Sequence, residues 1–127
     1  MTPHWSDLWL GRAYAPDRFN CADLVLAVQR EHFNRCLDIV GAHPTGPLAQ
    51  SEAVEDEVWK HVQRVEAPQD GDVAMIRNRG RLRHIGVYCA LKDGMVLHAV
   101  KSMGVIRTPV RDLPSIRMEL EGWYRPC

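Results

Sequence analysis

The chain has 127 residues, of which 46% are hydrophobic, and 16 basic side chains balance 16 acidic ones. This length and composition indicate one compact globular domain over residues 1–127 with a single core. The zero net charge argues against a general nucleic-acid binder and against a protein that binds anionic membranes, because both need an excess of positive charge.

The absence of targeting signals and the cysteine spacing further restrict the class of protein. No run approaches the roughly 20 apolar residues that span a bilayer, and MTPHWSDLWLGR lacks the basic start and apolar stretch of a secretory signal. We therefore expect synthesis in the cytosol and no membrane partner. The four cysteines lack CxxC spacing, which favours free thiols over a disulfide framework or a zinc knuckle: Cys21, Cys36, Cys89 and Cys127. No metal or cofactor is expected.

The first predicted element is a short amphipathic helix over residues 4–10, with Trp5, Leu8 and Trp9 on one side. A loop marked by glycine and proline follows it.

The second predicted helix carries a cysteine at its start, in the stretch FNCADLVLAV. Asn20 is a favoured N-cap residue, and Asp23 occupies the third helical position as in a variant capping box. The apolar spacing from Cys21 onward predicts a helix that ends between residues 32 and 35. Its low polarity through Val28 indicates a central, buried helix.

A third helix is predicted over residues 51–63, where Ser51 caps an apolar stripe of Val54, Val58, Trp59 and Val62. Short segments rich in valine and isoleucine then predict strands over residues 72–77, 84–91, 95–100 and 105–110, and residues 118–127 are a candidate for another. Helices first and a strand meander second indicate an α+β fold with an antiparallel sheet. Arginines alternate along IRNRGRLRHIG, which we interpret as a solvated strand face; a phosphate-binding track is the alternative.

Two histidines lie on strands that the turn KDG would join as a hairpin. His84 begins the first strand and His98 lies within the second, so the two can approach each other across the pair. His98 is flanked by apolar residues on its own face, and a buried imidazole needs a hydrogen-bonding partner.

Cysteine catalysis needs a nucleophile, a base and a group that fixes the tautomer of the base. Cys21, His84 and His98 supply one of each. A helix N-terminus favours a thiolate, so we expect Cys21 to react with iodoacetamide well below pH 8 if it is a nucleophile. The backbone N–H of Cys21 is a candidate oxyanion donor, and the Tyr14 hydroxyl can lie beside the same pocket.

Four segments, in this order, resemble the NlpC family of papain-like cell-wall cysteine peptidases from bacteria and phages. YAPDRFNCADLVLAV is similar to the family's nucleophile motif, a tyrosine and a loop followed by Asp-Cys-Ser-Gly-Leu-Val. QDGDVAMI and RHIGVY resemble its Pro-Gly-Asp and His-Val-Gly-Ile-Tyr strands, and MVLHAV resembles the segment that holds its third polar residue. The similarity covers about residues 9–125.

The resemblance implies a papain-like fold in which the helix that bears the cysteine packs on an antiparallel sheet. It implies Cys21 as nucleophile, His84 as general base, His98 as the orienting residue and Tyr14 as a pocket residue. The family hydrolyses amide bonds of peptidoglycan stem peptides through a thioester. At the nucleophile, Asn20, Ala22 and Asp23 replace the family's Asp, Ser and Gly, so Asp23 brings a carboxylate close to the thiol.

The predicted function is thus a peptidoglycan peptidase or amidase that acts at the cell wall or in the periplasm. Without a signal peptide, the chain resembles phage or prophage members, for which tail proteins are the expected partners. The alternatives are an amidase on another substrate, including a toxin delivered into other cells, and a catalytically idle tail-assembly or binding module. A packing cysteine, or a zinc site formed by the cysteine and the two histidines, would replace catalysis altogether.

Overall fold

The computed structural model of the chain describes residues 3–16, 18–35, 62–79 and 82–126. In these ranges one α-helix, α1 (Cys21–Phe33), packs on a six-stranded antiparallel sheet, which confirms the predicted α+β class. Two 3-10 helices span Trp5–Trp9 and Val110–Ile116. The strands are β1 (Val62–Val65), β2 (Val73–Asn78), β3 (Leu82–Cys89), β4 (Met95–Val100), β5 (Gly104–Pro109) and β6 (Met118–Pro126).

The sheet has the order β1-β6-β2-β3-β4-β5. From β2 to β5 it is a meander in which each strand pairs with the next through a short turn. The last strand, β6, returns to lie between β1 and β2, so it joins β1 to the meander in one sheet. The meander is what brings the histidine-bearing strands β3 and β4 side by side.

Helix α1 begins and ends where the sequence predicts. The Asn20 side chain accepts a hydrogen bond from the Asp23 N–H, and the Asp23 carboxylate accepts one from the Asn20 N–H, which completes the predicted capping box. The helix ends at Asn34, which adopts a left-handed conformation that asparagine tolerates. The cap therefore fixes Cys21 as the first helical residue.

Side chains on the two faces of the sheet form two separate cores. The helix-side cluster joins α1 to one face and includes Trp9, Cys21, Leu24, Val25, Val28, Val73, Met75, Ile85, Val87, Cys89, Leu97 and Ala99. The far-side cluster lies on the other face and consists of Ala74, Ile76, Val96, Val100, Leu113 and Met118. Alternation along each strand divides neighbouring residues between the two clusters.

Two predictions about the helices are wrong in part. Val62 and Gln63 belong to β1, which pairs with β6, so the predicted third helix cannot extend to residue 63; residues 51–61 of that prediction lie outside the described residues. Leu8 is 70% exposed, because the first element is a tight 3-10 helix that buries Trp9 and turns Leu8 to solvent.

Within the described ranges, no helix combines the length and the apolar character that crossing a bilayer requires.

Candidate active site

The thiol of Cys21 lies at the N-terminus of α1, against the sheet. Cys21 is 5% exposed and packs in the helix-side cluster. Backbone N–H groups of Ile85, Ala22 and Cys21 itself form hydrogen bonds to the thiol, and these favour its thiolate form. Cys21 and Cys89 are both free cysteines, as expected, whereas Cys36 and Cys127 lie outside the described residues.

Burial nevertheless dominates the ionisation of this thiol. Removal from water, with a smaller contribution from the negative charge of Asp23, raises the pKa of Cys21 to about 11 despite the three N–H groups. The thiolate that the sequence analysis expects of a nucleophile at this position is therefore not favoured at neutral pH. The thiol of Cys21 is neutral near pH 7.

The N–H of Ile85 is available to the sulfur because strands β3 and β4 stop pairing just before it. Their ladder covers only the pairs from Val87↔Leu97 to Cys89↔Met95. Tyr88 donates its N–H to Asp72 on the β2 side, and alternation then turns the N–H of Ile85 toward β4. This opening between the two strands is where the thiol is held.

The two histidines meet beside the same opening. His84 Nε2 and His98 Nδ1 are 2.9 Å apart, and the ring centroids are 5.1 Å apart. The predicted approach of the two histidines across the strand pair is confirmed. The contact is diagonal and passes over Gly86, where an added Cβ would lie 3.1 Å from the Cβ of His98.

The hydrogen-bonded chain continues from His98 to a threonine on β5. His98 Nε2 lies 2.9 Å from Thr108 Oγ1. His84, His98 and Thr108 are all buried, with exposed fractions of 7%, 0% and 8%. Burial lowers the pKa of His84 to about 4, and burial together with the charge of His84 holds the pKa of His98 well below its usual value. Both rings are therefore neutral near pH 7.

The thiol and the histidines approach the sheet from opposite faces. His84 pairs with Ile76, a member of the far-side cluster, and His98 pairs with Ile106, which packs against that cluster. The sulfur comes from the helix side and bonds at Ile85, one residue along β3 from His84. Among the described residues, the thiol's hydrogen bonds come from backbone N–H groups, while the His84 ring is bonded to His98.

Tyr14 and Asp23, the other two predicted site residues, lie in different surroundings. Asp23 completes the cap of α1, and its negative charge also raises the pKa of the Cys21 thiol. Tyr14 is half-buried against the helix-side cluster. It lines an open groove of about 500 Å³ whose described lining includes the cations Arg12 and Lys101 and no carboxylate.

A zinc site needs several ligating side chains that lie close together. In the described ranges, no three or more histidine, cysteine, aspartate or glutamate side chains are grouped so that they could hold a metal ion. The zinc alternative for the cysteine and the two histidines therefore has no support from their arrangement.

No protein-family model matches this chain, and no curated protein matches it either. The geometry of the site is thus the basis for a functional proposal.

Three contributors to the site escaped the sequence analysis: the N–H of Ile85, the missing side chain of Gly86, and Thr108. An isolated glycine inside the strand HIGVYC is a signal of close approach, and it could have indicated Gly86. Thr108 and the N–H of Ile85 carry no such signal, because only the pairing of β3, β4 and β5 brings them to the cysteine and the histidines.

Proposed function

We propose that this chain is a papain-like cysteine amidase or peptidase in which Cys21 is the nucleophile, His84 the general base and His98 the residue that orients the base. One observation carries the proposal. A buried chain of hydrogen bonds, which includes the 2.9 Å contact between the two histidines, ends one residue along β3 from the N–H that holds the Cys21 sulfur. Thiol catalysis requires a nucleophile, a base and an orienting group.

The proposed reaction starts from a neutral Cys21 thiol and a neutral His84 imidazole. Cys21 Sγ attacks the amide carbonyl carbon while His84 Nδ1, the nitrogen not bonded to His98, takes the thiol proton. The backbone N–H of Cys21 donates to the oxyanion. The C–N bond then breaks, the leaving amine takes the proton from His84, and a thioester remains. Water attacks the thioester with His84 again as base, which releases the acid and restores the thiol.

The resting pair in this proposal is a thiol and a neutral imidazole rather than a thiolate and an imidazolium. A pKa of about 11 for Cys21 and of about 4 for His84 both favour the neutral pair. Proton transfer would then accompany attack on the substrate, as it does for serine nucleophiles paired with histidine. Substrate binding must open the site, because all three side chains are buried. It must also bring the thiol to His84 Nδ1, because the thiol and the ring approach the sheet from opposite faces.

The substrate proposal, a peptidoglycan stem peptide, rests mainly on the resemblance to the NlpC family. The groove beside Tyr14 agrees with it in charge, because Arg12 and Lys101 would attract a peptide that carries free carboxylates. In the same proposal the enzyme opens the wall locally as part of a phage or prophage tail.

The decisive experiment is digestion of purified peptidoglycan of several wall types, with the released fragments identified by mass. We expect release by the wild type, no release by Cys21→Ala, and wild-type release by Cys89→Ala, which removes the other described buried thiol. Equal release by the wild type and Cys21→Ala would contradict the proposed nucleophile. If the wild type releases nothing from any wall type but hydrolyses other amides, the substrate is wrong and the chemistry stands.

The burial of Cys21, His84 and His98 favours a second candidate, a binding module that keeps the fold without catalysis. In that case the wild type and Cys21→Ala would bind peptidoglycan or a tail protein equally well, and the wild type would release no product from any amide tested. A thioester trapped on Cys21 by rapid denaturation during turnover, and detected by mass, would exclude this candidate.

A further inference from the structure

We infer that Thr108 is a positioning residue that sets the tautomers of both buried histidines by accepting a hydrogen bond from His98. The direction of the hydrogen bonds and the effect on turnover rest on the proposed function, whereas the coupling of the two rings through Thr108 does not. The contacts that carry the inference are the two 2.9 Å separations, from His84 Nε2 to His98 Nδ1 and from His98 Nε2 to Thr108 Oγ1.

A neutral imidazole carries one proton, so the two contacts are coupled. If His98 holds its proton on Nε2 and donates to Thr108, then His98 Nδ1 is an acceptor and His84 must donate from Nε2. His84 Nδ1 then has a lone pair that can take a proton. If Thr108 donates instead, every proton in the chain shifts, and His84 Nδ1 carries a hydrogen and cannot act as a base.

The proposed role of His84 favours the first arrangement, because only that arrangement leaves a lone pair on His84 Nδ1 with which the ring can act as a base. A threonine hydroxyl can donate or accept, so it adapts to the direction that the rest of the site imposes.

Both histidine rings are buried, so water cannot easily replace Thr108 as the hydrogen-bonding partner of His98. His98 is fully buried, so the N–H on its Nε2 cannot exchange Thr108 for water without opening the core. Pairing of β4 with β5 places Thr108 diagonally from His98, with Val96 directly opposite Thr108 and Ile106 directly opposite His98. The two residues directly opposite, Val96 and Ile106, are apolar, so the Thr108 hydroxyl is the polar partner of His98 Nε2.

The test is the tautomeric state of each histidine, read at pH 7 from long-range 15N–1H correlations of ring-labelled protein without substrate. We expect the Nε2–H tautomer for His84 and His98 in the wild type and in Thr108→Ser, which keeps the hydroxyl. In Thr108→Val the acceptor is gone, and we expect both rings to change to Nδ1–H. An Nδ1–H tautomer for either ring in the wild type would overturn the inference, as would unchanged tautomers in a folded Thr108→Val.

Should Thr108→Val fail to fold, the wild-type spectrum and that of Thr108→Ala still decide, with the expectations for Thr108→Ala the same as for Thr108→Val. In the peptidoglycan assay, loss of the correct tautomer should lower kcat by about 10²–10⁴-fold with little change in KM, and Thr108→Ser should stay near the wild-type rate. The expected tautomers in a wild type that hydrolyses nothing would refute the proposed function and leave the role of Thr108 intact. Changed tautomers with unchanged turnover would overturn the link to catalysis.

Discussion

At the scale of single residues, the competition between burial and hydrogen bonding decides the chemistry of Cys21. A helix N-terminus and three N–H groups favour the thiolate, but loss of water around a buried sulfur favours the thiol more strongly. The same loss keeps His84 neutral. The site therefore holds an uncharged pair, and its response to pH differs from that of an ion pair.

The pH dependence of kcat/KM should show this difference, since it reports the ionisation of the free enzyme. His84 must be unprotonated to act as base, so activity should fall below about pH 4 and persist upward until the thiol ionises near pH 11. A thiolate and imidazolium pair would lose activity when the imidazolium is deprotonated, well before that alkaline limit. A steep loss between pH 8 and 9 in a protein that remains folded would contradict the neutral pair.

The rates at which iodoacetamide alkylates the two buried thiols should reflect their pKa values. Burial raises the pKa of Cys21 to about 11 and that of Cys89 to about 12. We expect iodoacetamide to modify Cys21 slowly at pH 7–8, with a rate that rises about tenfold per pH unit while the thiolate is the minor form. Peptide mapping by mass separates the two sites, and Cys89 is the slower internal reference. A rate at Cys21 that levels off below pH 8 would contradict the raised pKa.

At the scale of elements, the site depends on how closely β3 and β4 approach each other at Gly86. A Cβ added there would lie 2.6 Å from Val96 Cγ1 and 2.8 Å from the carbonyl oxygen of Leu97. We expect Gly86→Ala to force the strands apart, to cost about 1–3 kcal/mol of unfolding free energy and to break the contact between the histidines. Urea denaturation and the histidine tautomers measure the two effects.

Gly122→Ala is the matched control for this change. Gly122 is also a buried strand glycine, but the three atoms nearest to its added Cβ all belong to the Arg64 side chain, at 3.3 Å, and that flexible side chain can move aside. If both variants have the stability and tautomers of the wild type, the close approach at Gly86 is not what organises the site.

A buried hydrogen bond from a side-chain amide also links helix α1 to the residues just before β2. Gln29 is fully buried, and its Nε2 donates to the carbonyl oxygen of Gly71 at 2.7 Å. Gln29→Leu keeps an apolar side chain of similar size but leaves that carbonyl without this donor, so we expect a loss of about 1–3 kcal/mol in unfolding free energy. Arg30→Leu, on the exposed side of the same turn, should be nearly neutral; equal losses in the two variants would refute the role of the amide.

At the scale of the whole molecule, the buried histidines make the folded state sensitive to acid. The folded pKa of His84 is about 4, below the usual 6.5, and that of His98 is also lowered. Between pH 6.5 and about pH 4, the histidines of the unfolded chain bind protons that the buried histidines of the folded chain do not bind. The contribution of His84 to the unfolding free energy is therefore complete above pH 6.5 and decreases as the pH falls. Each proton contributes up to about 1.4 kcal/mol per pH unit.

Denaturation curves at pH 7, 6 and 5 should therefore show a falling unfolding free energy, with a shallower slope in His84→Gln, which has one fewer neutral buried imidazole. A slope that is the same in the wild type and the variant would contradict the assignment of this acid sensitivity to His84.

The sequence predicted most of the architecture around the site, because its signals are local. Asn20 and Asp23 form a capping box whose two bonds span three residues, so the start of α1 follows from a few neighbouring side chains. Short segments rich in valine and isoleucine likewise predicted β2 to β5 within a few residues. The prediction of a helix through Val62 and Gln63 failed because pairing with β6, far away in the chain, overrides a local helical pattern.

By itself, the sequence determined that a cysteine begins a capped, buried helix and that two histidines lie on adjoining strands, since short-range periodicity and capping carry that information. Only the tertiary structure decided that β3 and β4 separate beside Ile85, that Thr108 ends the chain of hydrogen bonds, and that the thiol and the imidazoles are neutral. These properties depend on strand pairing and on exclusion of water, which arise from contacts between residues that are distant in the chain.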